Sequence, residues 1–268
     1  MEYLHEDKSR QVIGLIYDVR NKMGSGWSED NYHQALLHHI KNHDIPVLSK
    51  PRFPLLHRDA EIYRFEPDII VWDQIILELK VPPKFKGDSF PSVNEAQLIH
   101  YLKRCKKELG LLVNFAHSKV GLKRMAFQPP KPRIVEVYDY IKPKISSHDR
   151  SILKEVRKHL LSVSNEYGTG YPNTVYQEIL ELELANYRMK YKTNVVADAI
   201  WDGKKIGSNT IPHLLIEDRI LVLIRASFKH SSTLDFTSTE SYLRALGLNI
   251  GIVVNFGRNR IQINGVAV

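Results

Sequence analysis

The chain has 268 residues, of which 43% are hydrophobic and 25% are charged, and this balance excludes a chain that is disordered throughout. Its formal net charge of +8 favours an acidic partner, most often nucleic acid, although a basic balance is also found on ordinary solvated surfaces. Cys105 is the single cysteine, which excludes an internal disulfide and a cysteine-based zinc site and suits a reducing compartment.

The first residues, MEYLHEDK, show no basic stretch followed by an apolar core. No later apolar run approaches the roughly 20 residues that are needed to span a bilayer. We therefore expect a cytoplasmic protein with no membrane partner.

Two amphipathic helices are predicted within residues 10–36, separated by a Gly-Ser-Gly break. The second helix carries Tyr32, which suits either a core tyrosine with a satisfied hydroxyl or a functional residue. The same helix carries four histidines, at positions 33, 38, 39 and 43. His39 and His43 could hold a transition metal at their i, i+4 spacing, but no third ligand is evident, so we expect the histidines on a solvated helix face.

The stretch PDIIVWDQIILELKV, residues 67–81, is predicted to form two strands joined by a short turn at residues 72–74. Alternation along the second strand places Glu78 and Lys80 on one face and its leucines on the other. The turn brings Asp68 back beside the strand that carries Glu78.

Two carboxylates that converge on one point suit a hard cation such as Mg²⁺ or Mn²⁺. An adjacent lysine can orient or deprotonate a metal-bound water and stabilise the charge that develops on a scissile phosphate. These features indicate a site for phosphodiester hydrolysis. A cross-strand salt bridge on a solvated sheet face is the alternative, and the three residue types alone leave it open.

Basic residues follow this hairpin in two places. Lys84 and Lys86 lie in the loop VPPKFKGDSFPS, which could contact a nucleic-acid backbone and present a phenylalanine for base stacking, or could be a plain linker. Gln97 and Tyr101 share one helix face at i, i+4. The same helix continues into a basic run that we expect to follow a phosphate backbone, formed by Lys103, Arg104, Lys106 and Lys107.

The chain contains an internal repeat, because three blocks of its first half recur in the same order and at nearly constant offset in its second half. Prolines between residues 127 and 149 separate the two copies, and we place the boundary near residue 145, giving domains 1–145 and 146–268. Within this segment RIVEVYDYI could form an edge strand. Each copy is predicted to be an α/β unit with a mixed central β-sheet flanked by helices, ending in the strand GLLVNF or GIVVNF.

Several short motifs carry a resemblance to known nucleases. Pro67-Asp68 and Glu78-Leu79-Lys80 together resemble the signature of the PD-(D/E)XK nuclease superfamily. Gly26-Trp-Ser-Glu29-Asp-Asn-Tyr32 resembles the motif that gives the GxxExxY protein family its name. Gln97 and Tyr101 look like the QxxxY element of RecB-type nucleases. These motifs stand in order within about residues 10 to 127.

The resemblance implies a role for each matching residue. Asp68, Glu78 and the backbone carbonyl of Leu79 would bind Mg²⁺ or Mn²⁺, and Glu29 would complete the metal shell, often through water. Lys80 would position the attacking water, and Gln97 with Tyr101 would border the site and contact the substrate backbone. The implied function is that of a metal-dependent nuclease, with DNA favoured over RNA because RecB-like relatives mostly act on DNA.

The second copy lacks these residues. Asp68, Glu78, Lys80, Glu29 and Gln97 align with His213, Leu223, Arg225, Asn173 and Ser238, in that order. No pair of carboxylates is left, and burying an unpaired ion beside a leucine would cost several kcal/mol. We expect a catalytically degenerate copy that pairs with the first as a pseudodimer and supplies surface for substrate or for a protein partner.

Two other functions stay open at this point. The chain could be a non-cleaving nucleic-acid-binding or scaffold protein built on a nuclease fold, which its positive charge would serve equally well. The same site could also act on a different phosphodiester or nucleotide, because a fold does not fix a substrate.

Overall fold

The computed structural model describes residues 4–81, 90–116, 119–128, 133–227, 231–257 and 260–268. It divides the chain into two compact units, Met1–Gln128 and Pro129–Val268. The division falls earlier than the predicted boundary near residue 145, because the strand Arg133–Val137 pairs with the last strand of the second unit. The expected strand in this segment is confirmed, and it forms an edge of the second sheet.

The first unit opens with two helices whose sequences dictate their bounds. α1 (Glu6–Met23) buries an i, i+3, i+4, i+7 stripe that includes Val12 and Val19, and it ends at Gly24, whose φ of 76° few side chains tolerate. α2 (Glu29–Lys41) begins at a capping box in which Ser28 and Asn31 satisfy each other's backbone N–H groups. The predicted helix, break and helix are therefore present.

A mixed sheet forms the centre of the first unit. The elements of this unit after α2 are β1 (Val47–Ser49), β2 (Phe53–His57), β3 (Ala60–Phe65), β4 (Ile69–Val71), β5 (Ile75–Lys80), α3 (Ser92–Cys105), β6 (Leu109–Asn114) and β7 (Gly121–Ala126). The strand order in the sheet is β1-β4-β5-β6-β7, and only β5 and β6 run parallel, joined by the crossover helix α3. A separate hairpin consists of β2 and β3.

Helices cover both faces of this sheet. The face that includes Leu77 and Leu79 belongs to one apolar cluster with α1 and α2. The opposite face meets α3, because a Cβ added to Gly110 would lie 2.7 Å from the Leu98 side chain. Gly110 pairs with Ile76, so Glu78, two residues further along β5, also points to the α3 side. The predicted division of β5 into an apolar and a charged face is correct.

The second unit repeats this architecture with an added edge strand. Its sheet order is β8-β15-β14-β13-β12-β9, with β13 and β14 parallel across a crossover helix, and β10 and β11 form a separate hairpin. The bounds are β8 (Arg133–Val137), α4 (Ser147–Tyr167), α5 (Asn173–Asn186), β9 (Tyr191–Lys192), β10 (Val195–Trp201), β11 (Lys204–Ile211), β12 (His213–Ile216), β13 (Ile220–Arg225), α6 (Thr233–Leu246), β14 (Ile250–Phe256) and β15 (Arg260–Ala267).

The same tyrosine contact recurs in both units. Tyr32 donates its hydroxyl hydrogen to the carbonyl of Gly24 at 2.7 Å and stacks on Phe115. Tyr176 donates to the carbonyl of Gly168 at 2.9 Å and stacks on an equivalent phenylalanine. Both tyrosines are completely buried, so Tyr32 is a core residue with a satisfied hydroxyl.

The sequence-based scheme was wrong at the end of each unit. It stopped at the strands that contain Asn-Phe, whereas β7 and β15 follow them as antiparallel neighbours.

Within the described ranges, every helix is too short or too polar to cross a bilayer.

Candidate active site

Asp68 and Glu78 meet at the open end of the β4–β5 hairpin. The antiparallel pairing of Ile69 with Leu77 places the residue before β4 opposite Glu78. The Asp68 carboxylate accepts a hydrogen bond of 2.8 Å from the backbone N–H of Leu79. Asp68 therefore lies beside β5, as the predicted turn requires.

Glu78 and Lys80 form a buried ion pair. The Lys80 ammonium donates to Glu78 Oε1 at 2.7 Å. The Glu78 side chain is only 2% exposed and the Lys80 side chain 17%. The second carboxylate oxygen, Glu78 Oε2, is buried and has no hydrogen-bond partner among the described residues. A salt bridge on a solvated sheet face, the alternative that the sequence left open, is therefore excluded.

The surroundings of Glu78 disfavour its negative charge. Burial raises the pKa of Glu78 to about 8, and the neighbouring Asp68 carboxylate acts in the same direction, whereas Lys80 opposes the shift only in part. Desolvation by itself would lower the pKa of Lys80, but the carboxylates of Glu78, Glu29 and Asp68 raise it overall. When no cation is bound, Glu78 therefore holds its proton to a higher pH than an exposed glutamate does.

Glu29 approaches the same point from the first turn of α2. Its carboxylate accepts a hydrogen bond from the backbone N–H of Val81, the residue that follows β5. Desolvation raises the pKa of Glu29, Lys80 lowers it, and Asp68 raises it, with a net upward shift. Electrostatic interactions link four side chains into one cluster, which consists of Glu29, Asp68, Glu78 and Lys80.

The cluster fits a divalent cation of the Mg²⁺ type in its donor chemistry. Asp68 and Glu78 lie at opposite positions across the β4–β5 pairing, and Glu78 Oε2 is buried and lacks a partner among the described residues. Mg²⁺ is usually held by one or two carboxylates and keeps its other positions for water and substrate phosphate. Across the described ranges, no group of three or more His, Cys, Asp or Glu side chains is arranged to hold a metal ion.

Gln97 and Tyr101 border this cluster from α3. Gln97 Nε2 donates to the Tyr101 hydroxyl at 2.9 Å, so the predicted i, i+4 pair is in contact. Burial raises the pKa of Tyr101, and the charges of Glu78 and Asp68 raise it further. The phenol therefore lies close to the two carboxylates and stays protonated.

The basic end of α3 is built into the unit. Arg104 donates to the backbone carbonyl of Pro54 at 2.5 Å, and Lys107 pairs with Asp73 at 2.7 Å, at the turn end of the hairpin and away from Glu78. Burial lowers the pKa of Lys103 to about 7. Lys106 is exposed at the helix end. Lys84 and Lys86 lie outside the described residues.

His33 is a neighbour of the site that the sequence pattern misplaced. We expected a solvated helix face, but His33 is 2% exposed and its Nε2 lies 2.8 Å from Ser49 Oγ. Desolvation lowers its pKa, while the charge of Asp68 acts against that shift. No feature of the local sequence predicted the burial of His33, because that burial depends on the contact of α2 with β1.

The equivalent position in the second unit has different chemistry. His213 is buried, and its Nε2 lies 3.0 Å from Thr239 Oγ1, whose hydroxyl donates to a helix carbonyl, so that nitrogen carries the hydrogen. Burial lowers the pKa of His213 to about 4, and the imidazole is neutral. Leu223 is fully buried beside it, and Arg225 pairs with Asp235 at 2.8 Å.

A family model described as the PD-(D/E)XK nuclease superfamily matches residues 6–125 and 150–266, one range in each unit. The chain belongs to this superfamily, whose members generally hydrolyse phosphodiester bonds and typically use divalent metals. No curated protein matches the chain. A solved structure, described as the crystal structure of SSO0001, aligns at 21% identity and a TM-score of 0.30 with 36% of this chain. The match covers 48% of that protein's length.

Proposed function

We propose that the first unit is a nuclease that depends on Mg²⁺ or Mn²⁺ and hydrolyses phosphodiester bonds in nucleic acid, with DNA as the favoured substrate. One observation carries the proposal: a buried carboxylate with an unpartnered oxygen lies next to a second carboxylate and a lysine. An isolated buried acceptor costs stability, and a bound cation would satisfy it. Membership of the nuclease superfamily supports the same reading.

In this proposal Asp68, Glu78 and the backbone carbonyl of Leu79 would hold the cation, and Glu29 would complete its ligand shell. When bound, the cation neutralises charge on the phosphate and lowers the pKa of a coordinated water. Lys80, freed from its carboxylate partner, orients the attacking water and stabilises the negative charge that develops on the phosphate. Protonated Glu78 must release its proton before it can act as a ligand.

Gln97 and Tyr101 contact the substrate backbone in the way that the RecB-like motif suggests. Both are donors at the rim of the cluster, and Tyr101 remains a neutral donor because its pKa is raised. The Gly26–Tyr32 segment, which resembles the GxxExxY motif, supports Glu29 through the capped start of α2 and the buried Tyr32. Lys106 is the residue of the basic run that is most open to a phosphate. The other members of the run would contribute less to phosphate binding; they are Lys103, Arg104 and Lys107.

The second unit is proposed to be catalytically degenerate. His213 and Leu223 offer a neutral imidazole and an apolar side chain where the first unit has two carboxylates. This unit would supply surface for substrate or for a protein partner. Its pairing with the first unit as a pseudodimer stays a prediction.

A cleavage assay tests the proposed function. Labelled single-stranded DNA, duplex DNA and RNA are incubated with Mg²⁺, Mn²⁺ or EDTA, with wild type beside Glu78→Ala. We expect cleavage that requires the metal and is lost in Glu78→Ala, and retained in the control Glu108→Ala, which removes an exposed carboxylate. Binding without cleavage under every metal would instead favour the scaffold function. Cleavage that survives Glu78→Ala would contradict the assigned site.

A further inference from the structure

Lys50 stands in an unusual backbone conformation next to the candidate active site. It follows β1 directly and has a φ of 46°, in the left-handed region that favours glycine and asparagine. A long side chain in this conformation costs stability. Lys106 and Arg188 have the same conformation, with φ of 54° and 57°, so the position of Lys50 beside Asp68 is what points to a role.

The second unit offers an internal comparison. β1 pairs with β4 in the way that β9 pairs with β12. Pro46, before β1, accepts a backbone hydrogen bond of 2.8 Å from the turn after β4, and Lys190, before β9, accepts one of the same length from the turn after β12. This register makes Asn194 the counterpart of Lys50, and its φ is 53°. The unit without paired carboxylates thus has a residue type that the backbone favours, whereas the unit with them has a lysine.

Backbone contacts place Lys50 at the site. Its N–H donates to the carbonyl of Asp68 at 2.9 Å, so it is fixed to the residue whose side chain faces Glu78. Its ammonium lies 3.4 Å from Asp30 Oδ1. Desolvation raises the pKa of Glu29 overall, and the positive charge of Lys50 acts weakly against that shift.

The ion pair with Asp30 leaves the ammonium available. The side chains of Lys50 and Asp30 are 47% and 65% exposed, and pairs of this kind contribute little to stability. The carboxylates of Glu29 and Asp68 repel a phosphate backbone that approaches this end of the sheet. A cation at the rim offsets that repulsion, and an exposed flexible lysine can follow the phosphate.

We propose that Lys50 is a substrate-binding residue whose ammonium contacts a backbone phosphate beside the scissile bond. The inference rests on the nuclease function proposed for the first unit. It adds a contact that the matching family motifs do not contain and that the second unit lacks.

Lys50→Asn tests the inference, because it removes the charge while giving the backbone the residue type that the second unit uses. Affinity for a fluorescein-labelled DNA duplex is measured by anisotropy in EDTA between 0.1 and 1 M NaCl, and steady-state cleavage is measured in Mg²⁺. Loss of one phosphate contact reduces the salt slope by about one, so affinity should fall about eightfold at 0.1 M salt and be unchanged near 1 M. The KM should rise while kcat stays within about twofold, and Lys50→Arg should restore the affinity.

Lys41→Asn is the matched control, since it removes one exposed cation from the end of α2. The melting temperature of Lys50→Asn should equal or exceed that of wild type, which separates lost binding from lost folding. Wild-type affinity and salt slope in Lys50→Asn, with wild type binding and cutting DNA, would overturn the role of Lys50 alone. A wild type that neither binds nor cuts would overturn the nuclease proposal and the role of Lys50 with it.

Discussion

Replacing Glu78 by glutamine should make the metal-free protein more stable at high pH relative to wild type. Glu78 is buried, and its pKa rises from the ordinary 4.5 to about 8 in the folded protein. Between these two values the unfolded chain releases the proton and the folded chain keeps it. Wild-type stability from this group is therefore complete below about pH 4.5 and is lost as the pH rises towards 8. Glutamine cannot ionise and lacks this dependence.

The magnitude follows from the shift. Each pH unit in this window costs the wild type about 1.4 kcal/mol relative to a side chain that does not titrate. The advantage of Glu78→Gln should therefore grow by about 3–4 kcal/mol between pH 5 and pH 8. A constant offset is expected as well, because the amide changes the contact with Lys80. The change with pH is the quantity of interest.

Urea unfolding in EDTA at several pH values measures this difference. Trp27 and Trp72 lie in the first unit, so a Trp201→Phe background makes tryptophan fluorescence report on that unit alone. Glu108→Gln makes the same chemical change at an exposed position and should shift stability by less than about 0.5 kcal/mol. A difference between Glu78→Gln and wild type that stays constant from pH 5 to 8, or shrinks, would refute the assignment of a buried protonated carboxyl.

Three further outcomes are expected. Because a proton competes for Glu78, the apparent Mg²⁺ affinity measured by calorimetry should rise about tenfold from pH 6 to 7 and about fivefold from pH 7 to 8, and a pH-independent affinity would contradict this. Tyr32→Phe leaves the Gly24 carbonyl without its 2.7 Å partner and should lower the free energy of unfolding by about 1–2 kcal/mol in urea melts, whereas no loss would argue against the buried hydrogen bond. His213→Asp combined with Leu223→Glu should yield no cleavage in a Glu78→Ala background, since two carboxylates do not replace the remaining site; activity near the wild-type rate would contradict the interpretation that the second unit retains only the fold.

The β4–β5 hairpin shows which structural relations can be predicted from local sequence. Strand periodicity and the turn at Trp72 and Asp73 suffice to place Glu78 and Lys80 on one face and to bring Asp68 beside them. These relations involve residues that are close along the chain, so they follow from backbone geometry. The recurring Gly-x-Gly break of each unit was readable for the same reason, whereas the sequence left the core role of Tyr32 open.

Contacts between distant segments were not readable in this way. The basic run of α3 gave no sign that Arg104 would donate to Pro54 or that Lys107 would pair with Asp73. The charge pattern of this run fitted a phosphate-binding surface as well as it fitted contacts within the unit. The burial of His33 and the place of β8 in the second sheet likewise depend on pairing between segments that are far apart along the chain.

The sequence by itself determined the two α/β units, the face of β5 that carries charge, and the loss of paired carboxylates in the second unit. Only the tertiary structure decided that the Glu78–Lys80 pair is buried, that Glu78 Oε2 lacks a partner among the described residues, and that the backbone of Lys50 is hydrogen-bonded to Asp68. Side-chain alternation is a property of neighbouring residues, whereas desolvation is set by whichever helices and strands pack around a group. The chemistry of this site depends on both.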